Sequence, residues 1–291
     1  MLLEHRLSVR GVVLRVTREG PEDRRLSGVP AVVALHGGPG VDGDGLRWFL
    51  RPLASEIDVI VMDQRGHGLS DLATAATWEL DEWADDVAAV IDSMELQHPV
   101  VFGISFGGWV ALRYASRHPR QAAALVVAAQ TARLLRTAHI AERMDWLGGA
   151  ASKRAWLHAH QSATGPDTDF AEHCLSLMSV RRPPASLVAV RTAQVLTQQV
   201  NDHFTPQFDT LDLTGDAAEV GMPFTLVLGE RDPFTTAELA RQTVAAVLGP
   251  RRLVLVPDAA HDLMVDAPDV LLAEIRRSCA QRRRRPPPPR A

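Results

Sequence analysis

The chain has 291 residues, 46% hydrophobic and 23% charged, with a net charge of −4; this is enough for one large α/β domain with an insertion and excludes a fibrous or wholly disordered chain. No apolar run reaches the ~18 to 20 residues of a membrane helix, and the start, Met1 to Arg6, carries Glu4, His5 and Arg6 where a secretory signal needs an apolar core, so a cytoplasmic protein without a membrane partner is expected. The stretch 282–291 holds five arginines and four prolines and no acid, which leaves an acidic body that argues against nucleic acid as substrate.

Taken in chain order, alternation over Leu7 to Val16, broken by Arg10 and Gly11, predicts a leading hairpin, and Pro30 to Leu35 predicts the first central strand. Asp58 to Met62 reads as a second buried strand and Glu79 to Met94 as a helix. Pro99 to Phe102, free of polar residues, predicts a further buried strand, followed by a turn from Gly103 and a helix from Gly107 to His118; Ala122 to Ala129 is again a strand. Between Thr131 and Val220 the strand signal disappears and helices interrupted by Gly148-Gly149, Gly165-Pro166 and Pro183-Pro184 are expected. Strands return at Phe224 to Leu228 and Leu253 to Val256, with a helix near Thr236 to Leu248 between them and a last helix from Pro268 to about Ala280. Such alternation calls for a mostly parallel sheet flanked by helices, with ligands at the carboxyl ends of the strands. The division expected is a core of 1–130 and 221–281, a helical cap of 131–220 over the strand ends, and a disordered tail of 282–291.

The chemistry is carried by three separated pieces. Gly103-Ile104-Ser105-Phe106-Gly107 places a serine between a buried strand and a helix, where a sharp turn would hold it strained and exposed. A serine hydroxyl needs an imidazole to take its proton, and the imidazole needs a carboxylate to fix its tautomer. His261, after the last strand, is the expected base, and Asp232, after the strand before it, the expected acid; Glu230 and Asp258 are the fallback acids. Two backbone N–H groups must also face the developing oxyanion. Phe106, next after the serine, supplies one, and Gly38, in the loop after the first central strand, the other; His36 in that loop is expected to have a structural hydrogen-bonding role. The order serine, acid, histidine is that of one serine hydrolase architecture among several.

From about residue 5 to 280 the chain resembles the α/β-hydrolase superfamily, and within it proline iminopeptidase-like members. The residues that carry this are His36-Gly37-Gly38-Pro39-Gly40, Asp63-Gln64-Arg65-Gly66 and the serine turn. Phe106 stands where those peptidases usually carry Trp, and Arg65 to Ser70 with Gly103 to Gly108 is equally similar to enol-lactonase, esterase and carbon-carbon hydrolase relatives. The resemblance implies an α/β-hydrolase fold with a helical cap and a cofactor-independent serine hydrolase, using Ser105, Asp232 and His261 on an amide or ester of a small molecule or short peptide. The alternatives are proline iminopeptidase or another aminopeptidase, or an enol-lactone or carbon-carbon bond hydrolase; outside enzymes, the alternative is an idle ligand receptor on the same fold.

An aminopeptidase would need cap carboxylates for the substrate's ammonium group, for which Glu142, Asp145, Asp169 and Glu172 are candidates, with Trp146 as a further substrate contact. Trp146, Trp156 and Phe170 read as cap core more readily than as a substrate platform. His158 and His160 point to nearly opposite sides of a helix, so with His173 and Cys174 they give no metal site. Cys174 and Cys279 read as ordinary reduced thiols, and no phosphate-binding loop is present to suggest a nucleotide. No cofactor is expected, and the oligomeric state is open.

Overall fold

The computed structural model describes residues 2–21, 28–161 and 168–282. Among the described residues eight strands form one sheet in the order β1-β2-β4-β3-β5-β6-β7-β8. They are β1 Leu2–Val9, β2 Val12–Glu19, β3 Ala31–Leu35, β4 Asp58–Met62, β5 Val100–Ile104, β6 Ala124–Ala128, β7 Phe224–Gly229 and β8 Arg251–Val256. The β1–β2 and β2–β4 pairs are antiparallel, and every later pair is parallel. Strands β3 to β6 are buried along their whole length, as apolar runs between two helical layers must be; the one charged residue among them, Asp58 at the start of β4, pairs with Arg18. Side chains alternate between those layers. Val33 and Leu35 belong to one core and Val32 and Ala34 to the other, following the two-residue period of a strand.

The leading hairpin is longer than its apolar alternation suggests. It turns where expected, at Arg10 and Gly11, both with positive φ (47° and 79°), the conformation a two-residue hairpin loop favours. Its arms extend to Leu2 and Glu19 because β1 is an edge strand, whose charged side chains alternate into solvent without loss of backbone pairing.

The helices are α1 Asp44–Leu50, α2 Leu80–Ser93, α3 Phe106–Arg117, α4 Thr137–Gly148, α5 Ala150–Gln161, α6 Thr168–His173, α7 Ala185–Thr192, α8 Gln198–Phe204, α9 Thr214–Glu219, α10 Ala237–Ala246, α11 Leu263–Asp266 and α12 Pro268–Arg282. One core joins the sheet to α2, α3 and α10, and the other joins it to α1 and α12. The short α1 and α11 escape the sequence pattern because neither is long enough to show a helical repeat. Helix α12 takes in Arg282, and the rest of the arginine- and proline-rich tail, 283–291, lies outside the described residues. No helix of the described residues is long and apolar enough to cross a membrane.

Between β6 and β7 the described residues are mainly helical, as the sequence predicts, while the expected break at Gly165-Pro166 lies outside them; the described helices are of two kinds. Helices α4 and α5 and Cys174 share a small core of their own, built on Ile140, Met144 and Trp156, with Phe170 packed against it. Val200 and Phe204 of α8, Leu213 and Ala217 instead belong to the main core beside α2 and α3.

Candidate active site

Ser105 sits between β5 and α3 with φ 53° and ψ −127°. That backbone is costly for any residue with a Cβ and persists because its surroundings fix it. Its N–H donates to Ala128 O (2.9 Å) across β6, and its carbonyl accepts Gly108 N–H (2.7 Å). The turn points Oγ out of the sheet end toward His261.

Asp232 arrives from the end of β7 and His261 from the end of β8. The Ser105 Oγ lies 3.0 Å from His261 Nε2, and His261 Nδ1 lies 2.7 Å from Asp232 Oδ2. Asp232 is fully buried, and its other oxygen accepts the N–H groups of Phe234 (2.8 Å) and Thr235 (3.2 Å). A carboxylate so engaged faces the imidazole with its remaining oxygen, so Nδ1 carries the proton and Nε2 presents its lone pair to the hydroxyl. Burial by itself would lower the His261 pKa. The charge of Asp232, its hydrogen bond and the nearby Asp262 outweigh this and hold it above the ordinary 6.5. The fallback acids Glu230 and Asp258 are both exposed.

The loop after β3 closes the other side. A Cβ on Gly37 would stand 3.2 Å from Ser105 Cβ, so the loop backbone runs directly against the serine. Gly38 has φ 121°, open to glycine and disfavoured for other residues. His36 is buried beneath this loop. Its Nδ1–H donates to Gly37 O (2.8 Å) and its Nε2 accepts Gln64 N–H (3.1 Å), so both ring nitrogens are engaged in holding backbone, as the sequence suggests. Burial pulls its pKa down against the opposing charges of Asp63 and Asp42, and keeps the ring neutral. Phe106 N–H, in the first turn of α3, has no acceptor within its own helix.

Ser105, His261 and Gly38 border a pocket of about 220 Å³, whose wall also includes Leu46, Met178 and Arg191. Among the described residues two carboxylates line it, and each has a partner. Asp42 accepts Val195 N–H (2.7 Å), Asp44 N–H (3.0 Å) and Gln194 Nε2 (3.0 Å). Asp262 pairs with Arg191 Nη1 at 2.6 Å.

The substrate contacts expected from sequence fall elsewhere. Glu142, Trp146 and Glu172 are absent from the described residues that line the pocket, and so are Asp145 and Asp169. Helix α4 turns Ile140, Ala141 and Met144 inward, which leaves Glu142 and Trp146 on its outer face. There Glu142 pairs with Lys153 (2.6 Å), and Trp146, 70% exposed under the Arg143 guanidinium at 5.3 Å, is not part of the cap core that Trp156 and Phe170 join. Glu172 is exposed on α6. Sequence reading passed over Met178, Arg191, Gln194 and Arg143. The last donates to Asp232 O (2.5 Å) and Glu230 O (2.7 Å), tying the Asp232 loop to α4. No local motif marks these positions, because their roles depend on how helices from distant parts of the chain pack.

A family model described as alpha/beta hydrolase fold matches residues 30–268. The 2-hydroxymuconate semialdehyde hydrolase of Pseudomonas sp. (strain CF600) is 34% identical over 102 residues, which is 35% of this chain and 36% of that one. The proline iminopeptidase of Xylella fastidiosa (strain 9a5c) is 37% identical over 101 residues, 33% of this chain and 31% of that one. The match thus spans about a third of the length of each of these two curated relatives. Among solved structures, proline iminopeptidase from Mycobacterium smegmatis superposes with a TM-score of 0.78 at 19% identity, covering 97% of this chain and 99% of that one, a likeness of fold.

Proposed function

The chain belongs to the alpha/beta hydrolase fold family, and from that premise we propose that it is a serine hydrolase whose catalytic residues are Ser105, His261 and Asp232, acting on an ester or amide of a small substrate. The observation that carries this reading is the continuous relay from Oγ to imidazole to buried carboxylate, at 3.0 and 2.7 Å, opening into a pocket. His261 Nε2 takes the proton as Ser105 Oγ attacks the carbonyl carbon. The C–O or C–N bond then breaks as the same proton passes to the leaving group, leaving an acyl-serine. Water, deprotonated by His261, attacks that acyl carbon and restores the serine. Through both steps the N–H groups of Gly38 and Phe106 face the oxyanion.

The stretch 131–220 acts as a cap over the core of 1–130 and 221–281 in this reading. The pocket, smaller than the roughly 300 to 1,000 Å³ of drug-sized sites, suits a small acyl group. Electrostatics favour a neutral one. A substrate ammonium would meet the Arg191 guanidinium in the pocket wall and compete for carboxylates already engaged, Asp42 with three N–H groups and Asp262 with Arg191 through Oδ2. We therefore place neutral ester or amide hydrolysis ahead of aminopeptidase action. The test compares kcat/KM for propionyl and alanyl p-nitroanilide, which differ by one ammonium group, with p-nitrophenyl propionate as the ester reference. A preference of tenfold or more for the propionyl compound is expected on the roughly 1.4 kcal/mol scale of such discrimination; preference for the alanyl compound would return the aminopeptidase reading to first place.

The raised pKa of His261 sets a second expectation. Catalysis needs the neutral imidazole, so kcat/KM should rise with pH through a midpoint above 6.5. Stability runs the other way. The interaction with Asp232 favours the protonated ring, so its contribution is full below the unfolded pKa and is lost as pH rises through the folded one. Parallel pH profiles of kcat/KM and of urea unfolding should show opposite slopes across that window, and an activity midpoint below 6.5 would contradict the assignment of His261 as base.

A further inference from the structure

The two proposed oxyanion donors come from distant segments, the loop after β3 and the first turn of α3, yet one short helix outside the sheet touches both. Toward the loop, Asn201 of α8 donates from Nδ2 to Pro39 O (3.1 Å), and Thr197, just before α8, donates its N–H to Gly40 O (2.7 Å). Leu196 bridges to Val41, and Val195 N–H reaches the Asp42 carboxylate. The approach is tight, since a Cβ on Gly40 would meet Thr197 O at 3.1 Å and Asn201 Cβ at 3.3 Å. Toward α3, the Phe204 ring packs edge-on against the Phe106 ring with centroids 5.1 Å apart, and Phe204 is buried. Asn201 and Phe204 are three residues apart and therefore share one face of α8.

We propose that α8 is a brace that sets the position of the oxyanion loop relative to Phe106, with Asn201 as its polar positioning residue; this rests on the serine hydrolase reading above. Hydrophobic packing accounts for Phe204 and Val200, but it needs no amide aimed at a loop carbonyl. Among the described residues the only hydrogen-bond donor shown to Pro39 O is Asn201, and the Asn201 side-chain oxygen is held in turn by Thr205 Oγ1 (3.4 Å), which keeps the Nδ2 side toward the loop. Pinning the carbonyls of Pro39 and Gly40 fixes the chain one and two residues beyond Gly38. A displaced donor stabilises the oxyanion poorly, and loss of a donor costs 10² to 10³ in kcat; loosening one from outside should cost less, about tenfold or more.

The experiment measures Asn201→Ala and Asn201→Asp on p-nitrophenyl propionate, with active sites counted by fluorophosphonate titration, and the inhibition constant of a trifluoromethyl ketone, whose serine adduct carries an oxyanion. The expected result is a fall in kcat per titrated site of about tenfold or more, KM changed less than threefold, and ketone affinity weakened in step with kcat/KM. A merely structural residue would reduce the titratable fraction and leave kcat per site and the ketone constant near wild type; either of these within twofold of wild type overturns the brace. Should both variants fail to fold, Thr205→Val, which removes only the bond orienting the amide, is held to the same pattern with a smaller fall, and kcat within twofold there counts against it. If the wild-type protein neither turns over esters nor takes the fluorophosphonate label, the serine hydrolase reading falls by itself. The brace is then judged by hydrogen exchange in a peptide covering residues 36–42, where faster exchange in Asn201→Ala supports it and an unchanged rate overturns it.

Discussion

Replacing Ser105 by alanine is expected to lower kcat on p-nitrophenyl propionate by about 10⁵- to 10⁶-fold, the scale seen when the nucleophile of such a unit is removed. The geometry explains why so little should survive. His261 Nε2 has Ser105 Oγ as its hydrogen-bond partner at 3.0 Å, and alanine leaves the base with no proton to take at the carbonyl. What remains is water attack assisted by the oxyanion donors and by binding, so the residual rate should exceed the uncatalysed one. Stability should change little, since alanine must adopt the same φ of 53° and only one hydroxyl is lost at the pocket surface. Mass spectrometry after fluorophosphonate treatment gives an independent reading, because one label per chain in wild type and none in Ser105→Ala identifies the nucleophile. A label that persists in the variant would place the reactive serine elsewhere. Asp232→Asn should cost less, about 10⁴-fold, because it disturbs the tautomer and orientation of His261 and leaves the nucleophile in place.

The parts legible in the sequence are those where a local pattern has one physical meaning. Strands β3, β5 and β6 are five-residue runs with nothing polar to permit exposure, β4 is apolar after its first residue, Asp58, which pairs with Arg18, and a parallel sheet covered on both faces is the structure that buries them. Ser105 is marked by its glycines, and Asp232 and His261 by their places just past β7 and β8, where parallel strands deliver side chains to one edge. Boundaries were harder where charge and pairing compete. Strand β8 begins at Arg251, earlier than its apolar run, because its backbone pairs with β7 while Arg251 and Arg252 stay exposed. The pocket wall was the least legible part. Glu142 and Trp146 sit on the same helix as the inward-facing Ile140 and Met144, and a helix with a mixed pattern does not say which way it will turn until its neighbours are placed. Arg191 and Gln194, which do line the pocket, belong to a stretch whose composition is ordinary, and Asn201 gains its proposed role only from a loop some 160 positions away in sequence.

A large stability effect is expected at Gly107, and the reason couples fold to chemistry. A Cβ there would lie 2.3 Å from Leu35 O, 2.5 Å from His36 O and 2.7 Å from Leu35 C, all backbone atoms of β3 and the loop after it. A flexible side chain could swing aside, but these atoms are locked into the sheet through β4 and β5, so relief requires moving the strand or the helix. Gly103 is similarly constrained, its Cβ falling 2.1 Å from Gly107 O. Gly107→Ala should therefore destabilise by more than about 4 kcal/mol in urea unfolding, in the range reserved for overpacking and strain with no room to relax. Gly215→Ala is the control, since its Cβ meets nothing within 4 Å and it lies in the helix α9, where alanine is the better helix former by about 1 kcal/mol. If Gly107→Ala unfolds within 1 kcal/mol of wild type, α3 is not held as closely against β3 as its backbone contacts require. The same closeness brings the first turn of α3, with Phe106 N–H, beside the loop that carries Gly38. The absence of a side chain at Gly107 is thus what permits both proposed oxyanion donors to reach one point, and any folded fraction of Gly107→Ala should lose kcat more than it gains KM.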